Sequence, residues 1–166
     1  HSSLFLLKNQ TLKNNEEISN LDKAHYNGIL SVEFVPHTFT ICTSGMDSAI
    51  KYWDTRNLTE PVYSLTNNSH WVWSTKHNKV YNKILVTCSS NTLVKCYVFN
   101  KCNESNGFDF KPKGVVSEID YNEFDDSVYA IDWATNDPWT FAGIAYNTFM
   151  HINVLPDSFR IQALLD

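Results

Sequence analysis

The chain has 166 residues, a net charge of −5, and 43% hydrophobic and 14% aromatic residues. This is the composition of one globular domain at most, and it excludes a disordered or collagen-like chain. No apolar run reaches the roughly 18 residues that a membrane helix requires. Because the balance is acidic and the only arginines are Arg56 and Arg160, the sequence offers no basic surface for a nucleic acid.

Residues 1–24 contain two predicted strands, at 4–7 and 18–21. We interpret them as the last two strands, c and d, of a unit that begins before His1. The chain starts without an initiator methionine or a cleavable apolar segment. The sequence therefore predicts a piece of a longer protein.

A unit of four short strands follows at residues 25–67. Strand a is predicted at 29–34 and strand b at 41–45, and a tight turn at Asp47 leads into strand c at 50–53. Strand d is predicted at 61–65. Short consecutive strands joined by short loops are typical of an antiparallel sheet.

The same pattern recurs twice along the chain. Asn91 and then Asn147 take the position of Asp47, at spacings of about 44 and 56 residues, which defines the units 68–116 and 117–166. The extra residues of the longer spacing fall in the polar stretch 100–116, which predicts a loop insertion. The segment 159–164 is interpreted as a final strand d.

Four short antiparallel strands in about 40 to 45 residues are the signature of a WD40 propeller blade. We therefore predict an all-β fold, a WD40 β-propeller fragment of about three and a half blades. In the WD40 blades that the first unit resembles, four residues form a buried hydrogen-bonded chain. The corresponding residues here are His25, Thr43, Asp47 and Trp53.

An enzyme hypothesis would combine His25, Thr43 and Asp47 as a nucleophilic triad. The repeat explains all three and adds Trp53, so the structural interpretation is preferred. The later units replace these residues, so we expect apolar packing to hold them more than the hydrogen-bonded chain does. The replacements are Asn68, Thr87, Asn91 and Tyr97 in one unit and Phe124, Gly143, Asn147 and Asn153 in the other.

Three strings are more specific than a general WD40 pattern: KYWDTRNLTEPV at 51–62, SHWVW at 69–73, and DSVYAIDW at 126–133, followed by DPW at 137–139. With them, residues 25–165 closely resemble the C-terminal half of the EARP and GARP complex-interacting protein family, a family of seven-bladed WD40 proteins. The chain departs from the family at Phe124, where the family has histidine.

The resemblance implies a cytosolic, non-catalytic adaptor that binds multisubunit tethering complexes of endosomal recycling and retrograde transport to the trans-Golgi network. It implies peripheral association with those membranes through the partner complexes, and a part in sorting dense-core vesicle cargo. It transfers no partner-contact residues. The sequence itself shows no glycine-rich phosphate loop, zinc-protease motif or nucleophile elbow, so no enzyme, cofactor or metal is predicted.

Candidate partner-binding residues come from the loops before strand a and the b–c turns, which open on one common face. They are Tyr26, Asn27, Met46, His70, Trp71, Ser90, Asp125, Asp126 and Tyr146. Trp71 has two interpretations: it caps the core at the rim, or it is an exposed anchor for a partner.

An acidic run could bind a metal or a basic partner, although a solvated loop is the preferred interpretation. The run comprises Glu118, Asp120, Glu123, Asp125 and Asp126. The four cysteines, Cys42, Cys88, Cys96 and Cys102, contain no C-x-x-C pair. We expect them to be reduced thiols in a cytosolic protein.

A second functional hypothesis rests on residues 41–56, which also fit the sixteen-residue WDxR box ending at Arg56. In some WD40 proteins this box resembles the docking element for the adaptor of a cullin-RING ubiquitin ligase, and the chain would then be a substrate receptor. Arg56 would supply a charge-assisted contact. The competing interpretation is that Arg56 ties the corner between strands c and d to a neighbouring acid.

A propeller closes with about four to eight blades. This chain by itself should therefore leave two apolar blade faces open, which favours association with other surfaces. We expect it to need its N-terminal half or a second copy of itself.

Overall fold

The computed structural model describes residues 2–7, 17–101 and 109–165, with the side chains of 24–100 and 109–165. The described residues form a two-stranded hairpin and three meandering antiparallel sheets. The hairpin is β1 (Ser2–Leu7) and β2 (Glu17–His25). The first sheet is β3 (Ile29–Phe34), β4 (Thr40–Gly45), β5 (Ile50–Asp54) and β6 (Tyr63–Leu65). The second sheet is β7 (Val72–His77), β8 (Ile84–Ser89), β9 (Val94–Lys101) and β10 (Pro112–Tyr121). The third sheet is β11 (Val128–Trp133), β12 (Thr140–Ala145) and β13 (Met150–Val154), followed by helix α1 (Asp157–Leu165).

The three sheets are arranged as successive blades of a propeller. The first strands of neighbouring sheets lie side by side, β3 against β7 and β7 against β11. Strand β8 is buried along its whole length because it has a sheet on either side. Its side chains alternate between the two neighbours: Leu85 packs into the core shared with the first sheet, and Ile84 and Val86 pack into the core shared with the third. The predicted all-β propeller fragment is confirmed.

The turns between the second and third strands repeat one backbone conformation. Ser48, Thr92 and Thr148 each follow the Asp or Asn of their turn, and each has a positive φ between 62° and 71°. The side chain of Asp47 accepts the backbone N–H of the residue two positions on, as does that of Asn147. This Asx turn holds the left-handed residue in place and explains why Asp or Asn recurs there.

The predicted loop insertion at 100–116 is too long at both ends. Strand β9 continues to Lys101 and β10 begins at Pro112, and residues 102–108 lie outside the described part of the chain. Strand β10 pairs with β9 from Pro112 to Tyr121, so the start of the predicted unit 117–166 is the fourth strand of the second sheet. Residues 112–116, in which Pro112 and Gly114 favour a loop, form a strand because β9 supplies a pairing edge, which composition alone does not reveal.

The final strand predicted at 159–164 is wrong, because these residues lie in α1. The backbone N–H groups of Phe159 and Arg160 both bond to Pro156 O, which starts the helix. Phe159 and Ala163, four residues apart, are buried against the core shared by the second and third sheets. A short apolar segment is compatible with the periodicity of a strand and with that of a helix. Here packing against that core favours the helix.

The hairpin β1–β2 occupies the region of the two strands predicted before residue 25, and its assignment to a preceding blade stays a prediction. Cys42, Cys88 and Cys96 are buried free thiols, and burial raises the pKa of Cys88 to about 12. Cys102 lies outside the described residues. No helix among the described residues is long and apolar enough to span a bilayer.

Candidate functional site

A buried chain of hydrogen bonds links four side chains around the first sheet. The Trp53 Nε1–H donates to Thr43 Oγ1 at 2.9 Å, and Thr43 Oγ1 lies 2.8 Å from His25 Nε2. At the other side of the imidazole, His25 Nδ1 lies 2.8 Å from Asp47 Oδ1. With the Nδ1–H donating to the carboxylate, Nε2 accepts the Thr43 hydroxyl proton. Each polar group therefore has a partner inside the protein.

Burial and hydrogen bonding set the charges in this chain. Burial lowers the pKa of His25, although the Asp47 carboxylate opposes that change. Burial alone would raise the pKa of Asp47, but the hydrogen bonds from His25 and from the Tyr26 backbone N–H outweigh it and lower that pKa. Neutral imidazole beside ionised carboxylate is thus the favoured state. Thr43 is completely buried, which supports the structural interpretation of the four residues over the nucleophilic one.

The second sheet keeps a reduced version of this chain. Tyr97 Oη donates to Asn68 Oδ1 at 3.4 Å, and Asn91 Nδ2 donates to Ser69 Oγ at 3.0 Å. Asn68 Nδ2 is buried without a hydrogen-bond partner. The replacement of histidine by asparagine therefore leaves one donor unsatisfied.

The third sheet replaces the chain with apolar contact. A Cβ atom at Gly143 would lie 2.9 Å from Phe124 Cζ, so the phenyl ring occupies the space of the missing side chain. The same ring packs edge-on against His151, with centroids 4.6 Å apart. Asn153 takes the position of Trp53, and its buried Nδ2 lacks a partner.

Most candidate binding residues lie at one end of the sheets, which we call the loop end. It is formed by the loops before β3, β7 and β11 and the turns after β4, β8 and β12. Tyr26 and Asn27 are exposed there on the first sheet, and Met46 N–H donates to Gly28 O. His70, Trp71, Ser90, Asp125, Asp126 and Tyr146 lie there on the second and third sheets. The structure thus separates the candidates into a first-sheet group and a group that spans two sheets.

The exposed aromatic side chains of the loop end differ in how they are held. Tyr26 is 92% exposed and Tyr146 is 72% exposed. Trp71 is 44% exposed and packs edge-on against Trp73, with centroids 5.9 Å apart. Trp71 therefore packs at the rim and also presents surface to solvent, and its contact with a partner stays a prediction.

The carboxylates of the acidic run point to several different neighbours. Lys95 Nζ lies 2.5 Å from Glu118 Oε1 and 3.4 Å from Asp120 Oδ1. Glu123 lies 4.0 Å from His151 Nδ1. Asp126 accepts the backbone N–H of the next residue, and Asp125 is exposed. The run thus lies on β10 and the β10–β11 loop and makes separate contacts with β9 and β13.

A second buried polar cluster, which the sequence did not suggest, lies between the first and second sheets. His77 Nδ1 is hydrogen-bonded to Glu33 Oε1, and its Nε2 lies 3.1 Å from Tyr52 Oη. The Cys42 thiol completes a group whose ligand atoms lie within 4.8 Å of one another. Burial, followed by the Glu33 charge, raises the pKa of Cys42, so the thiol stays protonated.

Glu33, Cys42 and His77 are of types that bind metals, but the hydrogen bonds already satisfy both ring nitrogens of His77. The pair Glu33 and His77 is 44 residues apart, close to the repeat spacing. This separation could have predicted the contact from the sequence, because equivalent positions on neighbouring blades lie close together.

Arg56 lies at the opposite end of the first sheet from the other candidates. Its guanidinium donates to both carboxylate oxygens of Asp54, at 2.9 and 2.6 Å, and to Asp109 at 2.5 Å. The hydrogen bonds that Arg56 donates to Asp54, with a further contribution from Asp109, raise the Arg56 pKa. Arg56 therefore ties the end of β5 to the segment before β10.

The comparisons agree with this architecture. The family model of the WD domain, G-beta repeat, matches residues 16–54, which contain the whole hydrogen-bonded chain. With the three blade-like sheets, the match shows that the chain is a WD40-repeat protein and forms part of a β-propeller.

Its relatives are more specific. The chain is 32% identical to EARP and GARP complex-interacting protein 1 of Rattus norvegicus, over 87% of this chain and 42% of the relative. It is 30% identical to the Homo sapiens protein of that name, over 87% and 43%. It is 29% identical to EARP-interacting protein 1 of Caenorhabditis elegans, over 85% and 43%. The chain is thus a homologue of these proteins and spans less than half the length of each.

Proposed function

We propose that this chain is part of a non-catalytic WD40 adaptor that binds EARP and GARP tethering complexes. The supporting observation is homology over 87% of the chain to proteins named for interaction with these complexes. The loop end supports the same proposal, because it presents exposed aromatic and polar side chains on rigid sheets. The buried Thr43 argues against a catalytic role for the hydrogen-bonded chain.

The proposed cellular role is recruitment of these complexes in endosomal recycling and retrograde transport to the trans-Golgi network. The adaptor would be cytoplasmic and reach these membranes through its partners. Fluorescence imaging of the full-length protein tests the location. Co-localisation that disappears when the tethering complexes are depleted supports the proposal, and membrane association that persists without them contradicts it.

The binding itself is tested by affinity pull-down from cytosol, read by mass spectrometry, with the full-length protein and with this 166-residue chain. Recovery of tethering-complex subunits by the full-length protein supports the adaptor function. Recovery by the 166-residue chain as well would place a contact on these blades. A full-length protein that recovers no tethering subunits contradicts the proposal.

The ubiquitin-ligase hypothesis requires Arg56 as a contact for a cullin adaptor. Arg56 is instead bound by two carboxylates of its own chain, Asp54 and Asp109. A partner would have to displace or share these ion pairs. The structure therefore favours the tethering-complex adaptor over this alternative.

We further propose that other blades cover the outward faces of the first and third sheets. Val32 and Phe34 are exposed on β3, and Ile144, Met150 and Ile152 are exposed on β12 and β13. Apolar surfaces of this kind favour association. Light scattering after size exclusion tests the proposal: the 166-residue chain should self-associate and the full-length protein should be better behaved. A stable, monodisperse monomer of the short chain contradicts it.

A further inference from the structure

Four aromatic rings form a continuous row at the loop end. Trp71 packs against Trp73 with centroids 5.9 Å apart, and Trp73 packs against Tyr129 at 4.9 Å. Tyr129 in turn packs against Tyr146 at 5.9 Å. The row crosses from the second sheet to the third, so the chain brings it together only by stacking two blades. We call these four residues the aromatic row.

Hydrogen bonds hold the backbone beneath the aromatic row. The Ser90 N–H donates to Trp71 O, and the Ser127 hydroxyl donates to Ser90 O, each at 3.0 Å. The Tyr146 N–H donates to Ser127 O, also at 3.0 Å. These bonds connect the loops of both sheets, so the rings are positioned before any partner arrives. Such pre-organisation lowers the entropy cost of binding.

Three members of the row offer surface to a partner. Tyr146 is 72%, Trp71 is 44% and Tyr129 is 42% exposed, whereas Trp73 is half-buried and packs on the core between the sheets. Trp and Tyr are the residues that most often dominate binding energy at protein interfaces. A connected set of them on a rigid edge is therefore a suitable anchor.

The charged side chains in the segments that carry the aromatic row have one sign. The segments 66–74, 89–93, 123–130 and 144–149 contain three carboxylates, at Glu123, Asp125 and Asp126, and no lysine or arginine. Asp125 and Glu123 are exposed. Aromatic faces attract guanidinium and ammonium groups, and carboxylates form charge-assisted hydrogen bonds with them. Aromatic rings that share the loop end with Asp125 and Asp126 thus complement a basic segment.

We propose that the aromatic row, with Asp125 and Asp126, binds an arginine- and lysine-bearing segment of a partner protein. The proposal rests on the adaptor function above, because the segment belongs to a subunit of the tethering complexes. The rings supply the apolar and cation–π contact, and the carboxylates favour a positively charged segment. The surface belongs to the second and third blades, away from the exposed Tyr26 of the first.

The test uses the full-length protein and purified EARP and GARP complexes in a quantitative pull-down. The first variant is W71A/Y146A, and the second is D125N/D126N. The control is F39A, which removes an exposed aromatic side chain at the opposite end of the first sheet. Y146F keeps the ring and serves as the conservative variant. Melting temperatures verify that each variant is folded.

We expect W71A/Y146A to weaken binding at least about tenfold with a nearly unchanged melting temperature. D125N/D126N should weaken it about threefold and reduce its salt sensitivity. Binding by F39A and Y146F should equal that of the wild type. If W71A/Y146A proves unstable, D125N/D126N and the salt dependence still test the proposal.

Overlapping peptides from the complex subunits identify the chemistry of the segment. Peptides that bind should contain arginine or lysine and lose binding when these are replaced by glutamine. Equal binding of the complexes by the wild type and W71A/Y146A would show that the aromatic row is not the binding surface. Bound peptides that are neutral or acidic would contradict the proposed basic segment. If the wild type binds no complex, the adaptor function itself fails, and this proposal with it.

Discussion

The first and third sheets share the arrangement of their first three strands but fill the interior in opposite ways. In the first sheet His25 and Thr43 carry a hydrogen-bonded chain, and in the third sheet Phe124 and Gly143 put a phenyl ring over a glycine. The Asx turn after the second strand is present in both. The backbone plan thus depends on the turn and the strand pattern, and the interior of a blade has more than one solution.

The two solutions differ in how they tolerate change. A buried polar chain requires every member, because one missing group leaves its neighbours without partners. An apolar contact depends on how well the side-chain volumes fit. It can adjust when the contacting atom lies at the end of a side chain. The second sheet, with an unsatisfied Asn68 amide, shows the consequence of a partial polar chain. The four predictions below test this comparison.

The largest effect is expected from adding a methyl group at Gly45, with the same change at Gly143 for comparison. A Cβ at Gly45 would lie 2.6 Å from the backbone oxygen of Gly28, which cannot move aside. A Cβ at Gly143 would lie 2.9 Å from the end of the Phe124 ring and in ordinary contact with Ile131, at 3.5 Å. We expect G45A to lower the free energy of unfolding by about 3 kcal/mol and G143A by about 1 kcal/mol. Urea denaturation of the full-length protein measures both, and equal losses would contradict the difference between the sheets.

Introducing the phenylalanine and glycine pair of the third sheet at positions 25 and 43 should have the next largest effect. H25F removes the partner of Thr43 and Asp47, and we expect a loss of about 2 kcal/mol. H25F/T43G reproduces the Phe124 and Gly143 pair and makes room for the ring. We therefore expect a favourable coupling of about 1 kcal/mol in the double-mutant cycle. Strictly additive losses would show that the two solutions cannot be exchanged.

The polar chain should also make the first sheet sensitive to acid. Burial lowers the pKa of His25 in the folded protein, so the unfolded chain takes up a proton more readily as pH falls through the ordinary histidine range near 6.5. Stability is therefore present at pH 7 and lost toward pH 5. The lowered pKa of Asp47 acts in the same direction below its ordinary value of 3.8. Thermal melts should show a smaller fall in Tm between pH 7 and pH 5 in H25F than in the wild type.

The smallest effect is expected at the end of the first sheet remote from the polar chain. Arg56 is 47% exposed, and solvent screens its ion pairs with Asp54 and Asp109. We expect R56A to lower Tm less than H25F does and to leave tethering-complex binding unchanged. A pull-down with R56A checks both hypotheses at once, since a loss of binding to a cullin adaptor in this variant would revive the ubiquitin-ligase alternative.

The sequence by itself determined the blade plan and the members of the polar chain. Both depend on local patterns: alternation makes the strands, and an Asp or Asn precedes the left-handed residue of each turn, at Asp47, Asn91 and Asn147. The replacement of histidine by Phe124 was visible for the same reason. In a repetitive sequence, a substitution in one unit can be recognised by comparison with the other units.

Tertiary structure alone decided the features that depend on a neighbour. Pro112–Tyr121 is a strand because β9 offers an edge, and Asp157–Leu165 is a helix because Phe159 and Ala163 bury against two sheets. The aromatic row and the Glu33–His77 pair exist only where one blade stacks on the next. Such contacts join residues far apart in the chain, so no local pattern contains them.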